Sequence, residues 1–178
     1  MRLIDVAMKV CQHGDMLIIR PAQPSDCDAI WLILERTIRA GDTYPLPRDL
    51  SREDALLYWF SPEHEVFVAQ DEDGPAVLGT YYLRANHRGG GSHVANCGYM
   101  TAPEATGRGV GSAMCAHSIE QARDRSFKAM QFNFVVSSND RAVRLWQRHG
   151  FRIVGHLPNV FMRPDGSYTD AYVMYREL

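Results

Sequence analysis

The stretch Thr106-Gly107-Arg108-Gly109-Val110-Gly111-Ser112 is the part of this sequence best suited to chemistry. Alternating glycines let backbone N–H groups come close to a bound anion. Where a strand turns into a helix, the unpaired amides of the first helical turn and the positive end of the dipole face the same point. Arg108 adds a charged donor suited to a phosphate. The alternative is a tight strand-to-helix turn that holds no ligand. Two known phosphate loops are excluded. A dinucleotide fingerprint needs G-x-G-x-x-G, but its third glycine place holds Ser112 counting from Gly107 and Met114 counting from Gly109. A Walker loop needs G-x-x-x-x-G-K-[ST], and no such string occurs.

A second polar signal lies in two asparagines. Asn133 interrupts Phe132-Asn-Phe-Val-Val136, where a buried parallel strand would carry an apolar residue. In His93–Thr101, alternation puts Asn96 and Gly98 on one face and Cys97 and Tyr99 on the other. A buried amide needs partners. Asn96 and Asn133 therefore either bridge strands or face an opening and bind a small polar substrate. His93 is either a proton relay or a rim histidine.

Composition excludes several other functions. Hydrophobic residues make up 46% of the 178 residues and charged residues 22%, which fits one globular domain rather than a disordered or fibrous chain. A net charge of −2 and a pI near 6.4 argue against a nucleic-acid binder. Cys11, Cys27, Cys97 and Cys115 form no C-x-x-C pair, and the histidines form no H-E-x-x-H, so no metal is expected. They read as buried thiols in a reducing compartment. No apolar run reaches membrane-span length, and Arg2, Asp5 and Lys9 interrupt any signal-peptide core. The expectation is a cytoplasmic protein with no membrane partner. Residues 1–15 read as an extension before a domain over 16–178.

The elements that must position these groups follow from periodicity. Residues 16–20 read as a strand, and Ser25 as the cap of a helix carrying Ile30, Leu34 and Ile38. Residues 41–50, with a glycine and two prolines, form a loop, and Ser51 caps a second helix. Strands are expected at 65–70, 77–84 and 93–101. The glycine turn leads into a helix to about Ser126. A strand at 129–136, a helix from Asn139 to Gly150 and strands at 151–157 and 168–175 complete the chain. The strand–helix–strand unit from His93 to Val136 implies parallel neighbours, and the hairpin before it is antiparallel. A mixed sheet with helices on both faces results.

The glycine turn after Thr101-Ala-Pro103, together with Asn139-x-x-Ala142-x-x-Leu145-Trp146-x-x-x-Gly150-Phe151, resembles the GCN5-related N-acetyltransferase family. Its phosphate motif is [QR]-x-x-G-x-[GA], with Thr106, Gly109 and Gly111 at the specified places. The resemblance runs from Met16 to Leu178 and is similar to the phosphinothricin and amino-acid acetyltransferase branch. It implies a single-domain α/β (α+β) fold: a mixed, mainly antiparallel sheet with a central splayed parallel pair. It implies acetyl-CoA as co-substrate, along Met100, Thr101, residues 106–112, Asn139 and Trp146. The activity implied is acetyl transfer to the primary amine of a small molecule, by direct attack in a ternary complex. A protein N-terminal or lysine acetyltransferase and a non-catalytic acyl-CoA-binding module are the alternatives, and a homodimer is a family expectation.

Two places depart from the family pattern. Gly98 stands where a base glutamate is usual. Trp146 stands where a tyrosine acid is usual, and an indole cannot serve as an acid at neutral pH. The catalytic work then falls to Asn96, Asn133 and Tyr99, with a backbone N–H near Tyr99 or Met100 polarising the carbonyl and a water chain taking the proton. In the loop after the first helix the resemblance places the acceptor pocket, at Thr43, Tyr44 and Arg48, with Phe161 as a wall.

Overall fold

The computed structural model describes residues 8–12, 15–72 and 74–178. Among the described residues eight strands form one sheet in the order β1-β2-β3-β4-β5-β6-β8-β7. They are β1 (Met8–Gln12), β2 (Asp15–Pro21), β3 (Glu65–Asp71), β4 (Val77–Ala85), β5 (Val94–Thr101), β6 (Ala129–Val136), β7 (Arg152–Met162) and β8 (Tyr168–Glu177). All neighbouring pairs are antiparallel except β5 and β6. Four α-helices among the described residues cover the sheet: α1 (Cys27–Ala40), α2 (Arg52–Trp59), α3 (Val110–Asp124) and α4 (Asp140–Arg148). The expected α/β layout with a mixed sheet is therefore present.

Alternation along the strands sorts the helices onto two faces. Tyr81 and Tyr99 point to α3, where their hydroxyls meet His117 Nδ1 at 2.6 Å and Ser118 Oγ at 2.6 Å. Tyr82, the next residue on β4, points the other way and packs edge-on against Trp59 of α2, with centroids 5.0 Å apart. Helix α1 buries Ile30, Ile33, Leu34 and Ile38 on one stripe, each worth about 1.5–3 kcal/mol of apolar transfer. Gly41 ends it at φ 65°, the left-handed conformation that glycine adopts without strain.

Three local expectations change. Ser25 does not cap α1; it lies in a 3-10 turn, Pro24–Asp26. Asp26 supplies the polar anchor there, taking the Gln23 N–H at 2.7 Å and a two-pronged pair from Arg20 at 2.7 and 2.9 Å. Strand β7 runs past Leu157 through Pro158 to Met162, because it is an edge strand. A proline there costs no ladder bond, and the register breaks between Leu157 and Phe161 with Asn159 at φ 53°. Within the expected extension, residues 8–12 form β1 against β2, and residues 1–7, 13 and 14 lie outside the described set. Among the described residues no helix is long and apolar enough to cross a membrane.

Candidate active site

Strands β5 and β6 pair only at Val94 opposite Ala129 and Ala95 opposite Met130, then diverge. The next β5 residue, Asn96, is buried, and its amide donates to the Gln131 carbonyl at 2.8 Å. That carbonyl sits where a continued ladder would seek a β5 partner, so the side chain closes off the pairing at the fork. Beyond it, the β6 register against β8 shifts between Phe132 and Val135, around Asn133 and Phe134. The sheet is thereby opened along the rest of β5.

A cavity of about 940 Å³ runs through this opening. At one end lies the glycine turn. Gly107 and Gly109 have φ 88° and 79°, which favour glycine, and Gly109 is the N-cap of α3. Bonding into the helix begins with the Ala113 N–H on the Gly109 carbonyl at 3.0 Å. The amides of Val110, Gly111 and Ser112 therefore have no helical partner and face the anion side. Gly111 serves packing too: a Cβ there would meet Leu145 of α4 at 3.3 Å. These features fit a phosphate-bearing ligand. Arg141 and Arg148 of α4 line the same end.

The other end is built from β4, β5 and the 41–50 loop. Pairing of Tyr82 with Gly98 and Arg84 with Asn96 sets these side chains on one face. The Tyr58 and Tyr82 hydroxyls stand 3.3 Å apart. Tyr44 reaches in from the loop to Gly98, and a backbone hydrogen bond from Tyr99 meets its hydroxyl. Burial first, then the neighbouring Tyr82 and Tyr58 hydroxyls, push the Tyr44 phenol well above its ordinary value, so it stays neutral. The Cys97 thiol, pushed up to about 12 by burial, is no nucleophile at neutral pH. Arginines 39 and 48 hold the loop: Arg39 donates to the Arg48 and Leu50 carbonyls, and Arg48 to the Arg39 carbonyl.

The sequence-derived residues divide as follows. Thr43, Tyr44, Asn96, Tyr99, Met100, Thr101, Thr106, Gly107, Gly109, Val110, Gly111, Ser112, Asn133, Asn139 and Trp146 all line the cavity. Several are committed elsewhere as well. Asn133 is exposed and donates to Asn86 Oδ1 at 2.7 Å. Asn139 caps α4, accepting the Ala142 N–H at 3.2 Å. The Tyr99 ring is turned into the α3 layer and lies tilted against Trp146, 4.8 Å between centroids, so its backbone N–H, not its phenol, faces Tyr44. Ser112 Oγ lies 2.8 Å from His149 Nε2.

Arg108 departs from the expected placement: its guanidinium pairs with Asp71 at 2.6 Å and is not part of the lining. Phe161 and Arg48 line a separate cavity of about 440 Å³ that shares Tyr44 with the first. His93 is exposed. Sequence reasoning missed Tyr58, Tyr82, Arg84, Arg141 and Arg148. Tyr82 and Arg84 alternate on a strand whose other positions are mostly apolar, which is the one sequence signal that marks them. Among the described residues no group of His, Cys, Asp and Glu is placed to hold a metal ion.

Comparison with known proteins agrees with this geometry. The Acetyltransferase (GNAT) family matches residues 31–151. The chain is 26% identical over 151 residues to N-acetyltransferase aca1 of Schizosaccharomyces pombe, covering 76% of this chain and 72% of that protein. It is similar to the structure of a GCN5-related N-acetyltransferase from Kribbella flavida, with 40% identity, a TM-score of 0.86 and coverage of 91% and 98% of the two chains. A phosphinothricin acetyltransferase from Sinorhizobium meliloti, solved with acetyl-CoA, has the same fold, with 23% identity, a TM-score of 0.81 and coverage of 91% and 88%. From the forked sheet, the glycine turn and these matches, the chain belongs to the Acetyltransferase (GNAT) family.

Proposed function

We infer that this enzyme transfers the acetyl group of acetyl-CoA to the amine of a small molecule, such as an amino acid or an analogue. The observation that carries the reading is the continuous cavity, with amide donors for phosphate at one end and a polar, tyrosine-lined chamber at the other. Its volume is in the range of small-molecule sites, roughly 300–1,000 Å³. The catalytic unit is residues 16–178.

Acetyl-CoA supplies an activated acyl group as a thioester: the neutral amine forms the N–C bond, the C–S bond breaks, the nitrogen gives one proton to water, and the CoA thiolate leaves and takes one proton from water. The amides of the glycine turn, with Arg141 and Arg148, hold the phosphates. The Tyr99 N–H, at the fork, polarises the acyl oxygen through the Tyr44 hydroxyl, which accepts that N–H and donates its own O–H to the oxygen. Asn96 and Asn133 border the opening and order the water that carries the amine proton away. Neither Trp146 nor the buried Cys97 thiol acts as acid or nucleophile, so attack is direct.

The test is thiol release from acetyl-CoA with amino acids, polyamines, aminoglycosides and peptides as acceptors. Release with small amines supports the reading. Release with peptides alone, or acetyl-CoA binding with no release on any amine, overturns it.

A further inference from the structure

We propose that Arg84 selects the acceptor, by pairing with a carboxylate carried beside its amine. This rests on the acetyltransferase reading and goes further, to what distinguishes one amine from another.

The charge of the cavity carries the argument. Among the described residues its lining includes Arg84, Arg141 and Arg148 but no aspartate, glutamate, lysine or histidine. Arg141 and Arg148 belong to α4, on the side of the glycine turn, where phosphates bring negative charge. Arg84 lies apart from them, on β4, opposite Asn96 and beside Tyr82. Its hydrogen bond is a long one, 3.5 Å to the Ala85 carbonyl. Glu63, whose carboxylate feels the charge of Arg84, is already bridged to Arg88. Other arginines in the fold are tied to carboxylates: Arg20 to Asp26, Arg108 to Asp71 and Arg125 to Glu65.

Among the described residues Arg84 makes no ion pair, which is costly for a half-buried guanidinium, and its planar fork of donors fits a carboxylate through two parallel bonds. The neighbouring hydroxyls of Tyr58 and Tyr82 and the amide of Asn96 are neutral and repel nothing. A polyamine, an aminoglycoside or a lysine side chain would bring a second cation to a chamber that has no anion to receive it. An α-amino acid brings the missing charge. Its carboxylate on Arg84 fixes the amine a short, constant distance away, towards Gly98 and the fork.

The experiment compares alanine, leucine and phenylalanine with their carboxamides and with spermidine. It uses the wild type, Arg84→Gln and Arg84→Lys, and acetyl-CoA binding is measured separately by calorimetry. The wild type is expected to favour each acid over its amide by about 100-fold in kcat/KM, the loss typical of an unpaired buried charge partner. Arg84→Gln should raise KM for the acids by a similar factor, erase the preference and leave acetyl-CoA affinity unchanged. Arg84→Lys should restore part of it. Amides or spermidine used as well as the acids, or an unchanged acid KM in Arg84→Gln, overturns the assignment while acetyl transfer stands. Acetyl-CoA binding without thiol release on any amine overturns the transferase reading, and Arg84 falls with it.

Discussion

The Tyr44 hydroxyl lies 2.5 Å from the point where a Cβ on Gly98 would stand. Tyr82 comes equally close, 2.5 Å at Cε1. Gly98 therefore makes room for two aromatic rings on the acceptor side of the fork. What looks from the family pattern like a missing base is, in this fold, a position that tolerates no side chain. Gly98→Ala should displace both rings, destabilise the protein by about 1–3 kcal/mol as overpacking does, and lower kcat/KM for the amine more than tenfold. Thermal unfolding and steady-state kinetics check both effects.

Tyr44→Phe removes the hydroxyl that meets the Tyr99 N–H and leaves the ring. The fold should be retained, with the midpoint of unfolding little changed. Turnover should fall about tenfold, corresponding to roughly one hydrogen bond of about 1.4 kcal/mol. KM for acetyl-CoA should stay constant. An unchanged kcat would remove Tyr44 from the acceptor site.

Gly109→Glu places a side chain at φ 79° and a negative charge among the amides proposed to hold phosphate. Acetyl-CoA affinity should drop at least about 100-fold, from strain and like-charge repulsion together. Calorimetry reads the affinity, and circular dichroism confirms that the sheet is intact. Unaltered affinity would sink the assignment of the glycine turn.

Much of that turn was legible because its demands are local. Positive φ at Gly107 and Gly109 and the capping side chain of Asn139 are conditions on single residues, and the sequence states them directly. The acceptor end was not legible in the same way. Arg84 becomes a cavity residue only through the register of β4 on β5. Arg108 was expected on a phosphate because nothing local announces its ion pair with Asp71, on a strand far earlier in the chain. The strand pattern did foretell the facing of Asn96 and Tyr99, but not that Asn96 would cap the last carbonyl before the fork.

That capping bond gives its own expectation. Asn96→Ala leaves the Gln131 carbonyl without its donor and should cost about 1–3 kcal/mol. Denaturant titration measures it. A loss within a few tenths of a kcal/mol would show that the fork closes up or hydrates without Asn96.

Acid should weaken the fold through His117. It is 2% exposed, hydrogen-bonded to Tyr81, and burial lowers its pKa to about 4. The unfolded chain takes up this proton near pH 6.5 and the folded chain only near 4, so stability rises with pH between those values. The contribution lost on acidification is at most about 3 kcal/mol, and His64 and His149, also lowered by burial, act in the same direction. Unfolding free energies at pH 7 and pH 4.5 should differ less in His117→Gln than in the wild type.

Strand β7 leaves an open edge, and Ile153, Val154, Val160 and Met162 on it are exposed. Such a strip invites a strand from another molecule to add on and propagate a fibre. Pro158 offers no N–H, and Asn159, left-handed and held by Asp170 through its N–H at 2.9 Å, breaks the line of pleats. An incoming strand would meet two short runs, 152–157 and 160–162, out of step with each other. The same bend that spoils the regularity of the edge therefore protects the protein from aggregating along it.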